Sequence, residues 1–359
     1  MTLLSISRTS VRVAQAVSAI FAMIFISLGY IDFKEGQLSS GPAIFSTFAN
    51  YSAMLCAVFY VLALAAPLKL AIRTPTAWRQ RAVDFVLVVA LVVAGVLHAD
   101  NRAVKKCAGY NTMFLTYHGS NLFRCGDMKL GILLTFVTAA LFVVTLAMSF
   151  KSDSLATSNL KNGLAHAEEP SASRDFAAIN TPVVVQSVMI DAETRRPMLR
   201  KIRRGGRALQ FVCSALALVA MVFSYRHYFT GQYMSPKATF VLLMAYTCTL
   251  YSLWHVLAVE TLKMSRRPAL NAERAVDAVL AVMLLLGGVL YVTSEAVTDC
   301  DSKNATFKAY HAANIYRCGD MGIGAVFAFV AVVMYFATFA LSFLYSHSEQ
   351  ANTDTADRV

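Results

Sequence analysis

Cys107 and Cys125 stand 18 residues apart, and so do Cys300 and Cys318. Two thiols at such a spacing can form a disulfide, stay free, or contribute to a metal site. Each interval holds one His and few carboxylates, too few for a four-ligand zinc set without a partner, so no metal is expected. Paired loop cysteines suit an oxidising compartment, and a disulfide in each loop is the expectation. Cys56, Cys213 and Cys248 fall instead within apolar runs.

A second chemistry is charge at the edge of hydrocarbon. Arg12 and Arg207 each open an apolar run, and so do Asp84 and Asp277. Ionisable groups at such positions are expensive and usually pair. Ion pairs Arg12–Asp84 and Arg207–Asp277 would fix helix packing; the alternative is that the arginines snorkel to headgroups while the aspartates cap their helices. The seven histidines, at 98, 118, 166, 227, 255, 311 and 347, show no His-box or haem-pair spacing. No catalytic residue and no cofactor is therefore nominated, and the chain is read as not an enzyme.

The elements that must position these groups follow from composition. Of 359 residues, 57% are hydrophobic and 15% charged, which excludes an ordinary soluble enzyme. Lys plus Arg exceed Asp plus Glu, 32 to 21, a net charge of +11 that in a membrane protein marks cytoplasmic loops and anionic lipid before nucleic acid. About 20 apolar residues at 1.5 Å each cross a bilayer core of roughly 30 Å. Eight runs qualify, near 13–31, 43–66, 82–99, 130–150, 208–225, 238–259, 275–293 and 322–345. The first lacks a small-x-small cleavage site and is expected to be a retained span.

The segment YHGSNLFRCGDM at 117–128 recurs as YHAANIYRCGDM at 310–321, an offset of 193. Arg81-Ala-Val-Asp84 meets Arg274-Ala-Val-Asp277 at the same offset, and Arg12-x-x-Gln15 meets Arg207-x-x-Gln210 at 195. The expectation is an all-α integral membrane protein of eight transmembrane helices, built as two tandem parallel four-helix units. The units span 1–150 and 207–345, joined by a cytoplasmic basic linker at 151–206, partly disordered, and followed by a cytoplasmic tail at 346–359. The basic end of the linker and the paired loop cysteines both put the long loops outside and the termini in the cytosol.

Within the repeated segment, Gly126-Asp127 and Gly319-Asp320 stand at a span mouth, where Gly permits a sharp turn and Asp can cap the helix. Tyr117, His118, Asn121 and Arg124, with Tyr310, His311, Asn314 and Arg317, form either an outer recognition face or a polar segment packed on the bundle. Arg195, Arg196, Arg200, Lys201, Arg203 and Arg204 form a juxtamembrane cluster that either binds acidic lipid or serves as a plain positive-inside stop. Asn304-Ala-Thr306 matches the N-glycosylation pattern in the second outer loop.

Four spans with an Arg opening the first, an Asp in the third and a cysteine pair before the fourth resemble the MARVEL domain, especially its fungal membrane-associating branch and the related Casparian-strip membrane-domain proteins. The resemblance covers both halves, leaves the linker unexplained, and assigns the family's Arg to Arg12 and Arg207 and its Asp to Asp84 and Asp277. It implies a scaffold of membrane microdomains or vesicle traffic at the plasma membrane or secretory vesicles. Its partners would be membrane lipids, other membrane proteins or further copies of the chain, with no nucleic acid. Fusion of two units departs from the family pattern. The alternative from the repeat architecture is a small-solute transporter or channel using the cleft between the repeats.

Overall fold

The computed structural model of the chain describes residues 3–33, 36–65, 77–164, 186–228, 231–261, 270–311 and 313–356. Among the described residues, eight helices are long and apolar enough to cross a membrane. They are α1 (Leu3–Leu28), α2 (Gly41–Ala65), α3 (Ala77–Asp100), α6 (Cys125–Leu164), α7 (Gln186–Ser224), α8 (Pro236–Trp254), α9 (Leu270–Val292) and α12 (Cys318–Ala356). Short helices α4 (Arg102–Lys105) and α5 (Cys107–His118) link α3 to α6, as α10 (Glu295–Thr298) and α11 (Cys300–His311) link α9 to α12. Helix thus enters the 151–206 segment from both sides, reaching Leu164 and resuming at Gln186.

Local signals start the second span of each half in the same way. Ser40 Oγ accepts from the Ala43 amide, and Ser235 Oγ accepts from the Ala238 amide with Pro236 in the first turn. A Ser cap satisfies an amide that the helix leaves orphaned, and Pro has no amide to lose. The spans then bury small residues and expose large ones. Ala19, Ala53, Ala94 and Ala328 are fully buried, whereas Val86, Val93, Val282 and Val333 face outward. That is the arrangement expected when the surrounding solvent is hydrocarbon and helices associate by close backbone approach.

Helices α1, α2, α3 and α6 pack among themselves, and α7, α8, α9 and α12 do likewise. Helices approach closely at a duplicated glycine. A Cβ on Gly131 would lie 2.8 Å from Ile26 Cγ1 and 2.9 Å from the Ile26 amide nitrogen; on Gly324 it would lie 2.7 Å from Met221 Cγ. Gly131→Val or Gly324→Val is expected to push α1 off α6 or α7 off α12 at a cost of about 1–3 kcal/mol, read as a lowered unfolding midpoint in mixed micelles.

The sequence reading contained no strand, and the structure adds four short ones. β1 (Asp32–Phe33) and β2 (Gly36–Ser39) follow α1; β3 (His227–Tyr228) and β4 (Gly231–Met234) follow α7. They join in the order β1-β2-β4-β3. Between β2 and β4 the register is Gln37 with Met234, Leu38 with Tyr233, and Ser39 with Gln232. An offset of 195 carries Leu38 onto Tyr233 and exchanges the other two pairs, so the pairing maps onto itself. That is the mark of an isologous, two-fold contact.

Candidate functional site

Three constellations are built on this frame. The first is the buried charge. Arg12 on α1 reaches Asp84 on α3 with two parallel hydrogen bonds, Nη1 to Oδ1 at 2.9 Å and Nη2 to Oδ2 at 2.6 Å, both side chains buried. Its Nη1 also donates to Gln15 Oε1, and the Gln15 amide donates onward to the Leu141 carbonyl and Thr145 Oγ1 of α6. The Tyr60 ring of α2 lies 4.4 Å from the guanidinium carbon. One guanidinium therefore ties together all four helices, and the fork geometry is what Arg supplies and Lys does not.

In the second half Arg207 pairs with Asp277 in the same way, at 2.6 and 2.7 Å, through the same Gln210 bridge to Thr338. Two groups that sequence reasoning missed join it. Glu273 accepts from Arg207 Nη2 at 2.6 Å and is also bound by Arg203; His255 Nε2 lies 3.1 Å from the Glu273 carboxylate. The first half has Tyr60 in place of His255 and Gln80 in place of Glu273. His255 opens a π-helical stretch, His255–Thr261, that ends α8. The signal in the sequence was Glu273 one helical turn before Asp277, a second carboxylate on one face.

The arginine of each Arg-Ala-Val-Asp motif has separate work. Arg81 Nη2 donates to the Ser149 carbonyl at 2.6 Å, and Arg274 Nη2 donates to the Ser342 carbonyl at 2.5 Å; each guanidinium lies over a Phe, Phe150 or Phe343.

The second constellation is the outer loops. Cys107 is bonded to Cys125 and Cys300 to Cys318, with Cα–Cα distances of 5.9 and 5.8 Å. Beside them sits a duplicated asparagine. Asn111 Oδ1 accepts from the Leu122 and Phe123 amides while its Nδ2 donates to the Phe123 carbonyl; Asn304 does the same with Ile315 and Tyr316. Glycan attachment requires the Asn304 Nδ2, and here that nitrogen closes the loop. Asn111→Ala or Asn304→Ala strands two backbone amides and is expected to cost about 1–3 kcal/mol, measured as faster proteolysis of the outer loop.

Asp127 and Asp320 are not N-caps. The helices start earlier, at the disulfide cysteines Cys125 and Cys318, which puts each Asp inside the first turn, favourable to the helix dipole without capping. Gly126 and Gly319 lie within these helices as well; among the described residues the positive-φ glycine is Gly119, at 68°, which ends α5. Arg317 and Asp320 form an exposed pair at 3.7 Å, and Arg124, Asn121 and Asn314 are exposed. The side chains of Tyr117, His118, Tyr310 and His311 lie outside the described residues.

Of the basic cluster, Lys201 and Arg204 are exposed, and the side chains of Arg195, Arg196 and Arg200 lie outside the described residues. Arg203 is committed to buried Glu273, which removes it from a lipid-facing set.

The third constellation is the seam between the halves, where α2 meets α8. Tyr51 OH is 2.8 Å from Thr247 Oγ1, and Ser52 Oγ is 2.9 Å from Tyr246 OH. The 195-residue offset turns Tyr51 into Tyr246 and Ser52 into Thr247, so one bond is the image of the other. Phe48 adds an edge contact on Tyr246. Burial pushes the Tyr30 phenol, just beyond α1, up to about 12, so it stays a neutral hydroxyl bonded to Ser40 at the end of this seam.

No protein-family model matches the chain, and no curated protein or solved structure is significantly similar to it. The geometry alone carries the functional reading.

Proposed function

We propose that the chain is a non-enzymatic lateral organiser of membranes, a scaffold of microdomains or vesicle traffic built from two MARVEL-like four-span units. The observation that supports this reading is the seam. Two bundles recognise each other in the membrane plane through hydroxyl pairs and a shared sheet that are self-complementary, the chemistry of a surface made for another unit of its own kind. The buried charges support it too, since Arg12 and Arg207 are tied to carboxylates within their own bundles and serve packing. Lipids, acidic ones at Lys201 and Arg204, and neighbouring membrane proteins are the partners. The disulfide loops face outward and the termini the cytosol, at the plasma membrane or in secretory vesicles.

Mild cross-linking in native membranes, followed by mass spectrometry of what co-purifies, tests the reading, with solute flux measured in liposomes holding the purified chain. Stable lateral assemblies without flux are expected. A monomer that conducts or exchanges a solute would contradict it.

A further inference from the structure

A cleft of about 240 Å³ opens beside the seam, between α1, α2 and α8. Its walls are Ile26 of α1, Ile44 and Phe48 of α2, and Phe240, Leu242 and Leu243 of α8. Three of the hydroxyls in the lining are already used, and Ser27 and Ser39 also line it. Thr47 donates to the Ala43 carbonyl, Thr239 to the Ser235 carbonyl, and Tyr30 OH is bonded to Ser40. What the cleft presents is mostly methyl, methylene and ring, with a smaller share of polar surface. Apolar voids of even roughly 150 Å³ stay dry and take up hydrocarbon.

The frame around the cleft is two-fold, but the residues on its two sides differ. Met221 and Val222 occupy the positions that Ile26 and Ser27 hold in the first half, and both pack into the core. The lining residues lie in or at the ends of membrane-spanning helices, and neighbours on the same helices, Ile24, Leu28 and Phe45, are exposed toward the lipid layer. At the disulfide end of the cleft, Lys237 follows Pro236 of the lining and is exposed. A mostly apolar slot with a cation at its outer end matches a lipid that carries a phosphate above a hydrocarbon chain.

We propose that this cleft holds one acyl chain of a phospholipid from the leaflet on the disulfide side, wedged against the seam.

The test uses the full chain in liposomes containing a phosphatidylcholine with a photoactivatable diazirine on one acyl chain, irradiated and digested for mass spectrometry. Adducts are expected to concentrate on the 44–48 and 239–243 segments above the level on lipid-facing Val86 and Val93 of α3. Thr47→Phe should abolish the cleft adducts and leave those on α3; Thr239→Phe, from the opposite wall, should do the same if the first variant does not fold. Cleft labelling no higher than α3 labelling in the wild-type chain would overturn the proposal. So would labelling by a photoactivatable sterol and not by the phospholipid, or adducts that survive filling of the cleft in a folded variant.

Discussion

Asp84→Asn is expected to destabilise the protein by about 3–5 kcal/mol, and Asp277→Asn by distinctly less. The two aspartates are repeat counterparts, and a count of ion pairs would make them equal. Their surroundings differ. Without Asp84, Arg12 keeps only the Gln15 oxygen and the faces of Tyr60 and Phe142, so a buried cation is left without a countercharge. Without Asp277, Arg207 still has the Glu273 carboxylate at 2.6 Å. Unfolding of both variants in the same mixed micelles measures the difference. Replacing both partners in the first half, Arg12→Met with Asp84→Leu, should recover much of the loss, because no buried charge remains. Strict additivity of the two single changes would mean that the pair contributes nothing.

Removing either disulfide is the next largest effect. Each closes a loop with a sequence separation of 18, and cross-links of that size contribute about 3 kcal/mol by restricting the unfolded chain. Cys107→Ser with Cys125→Ser should lower the unfolding midpoint and release α5, whose remaining ties to the loop are the Asn111 hydrogen bonds and the packing of Tyr110 and Phe114. Reductant should lower the wild-type midpoint further, because it opens both loops, should still act on the variant through Cys300–Cys318, and should leave a chain with all four loop cysteines replaced by serine unchanged. If the variant unfolds at the wild-type midpoint, the outer loops are held by other means.

What was legible in the sequence was what duplication and hydrocarbon length write plainly. Eight apolar runs became eight spans because crossing a bilayer admits few solutions for backbone hydrogen bonds other than helices. The Arg12–Asp84 and Arg207–Asp277 pairs could be read because charges at the edge of hydrocarbon need partners and a shared depth follows from connectivity. The sheet was not legible. Its strands are two to four residues long, too short for alternation to show, and β2 pairs with β4 from the other half of the chain. In hindsight the cue is Gly36-Gln37 and Gly231-Gln232 at the 195 offset. Glu273 and His255 escaped for the opposite reason: they break the repeat, and attention to duplicated residues passes over what one copy has and the other lacks. The loop-closing role of Asn304 escaped because a glycosylation pattern is local, while that role appears only beside its repeat counterpart Asn111.

The seam is the centre of the account, and it can be tested in one chain. With Cys56, Cys213 and Cys248 replaced by alanine, Ser52→Cys and Tyr246→Cys are introduced together, and membranes holding the protein are treated with a short bis-maleimide. Ser52 and Tyr246 are in hydrogen-bond contact, so the predicted result is rapid bridging within a single chain, while Ser52→Cys alone gives no bridge in that chain. Absence of the intrachain bridge, or bridging only between two chains, would contradict the two-fold contact between the halves and with it the basis of the organiser reading.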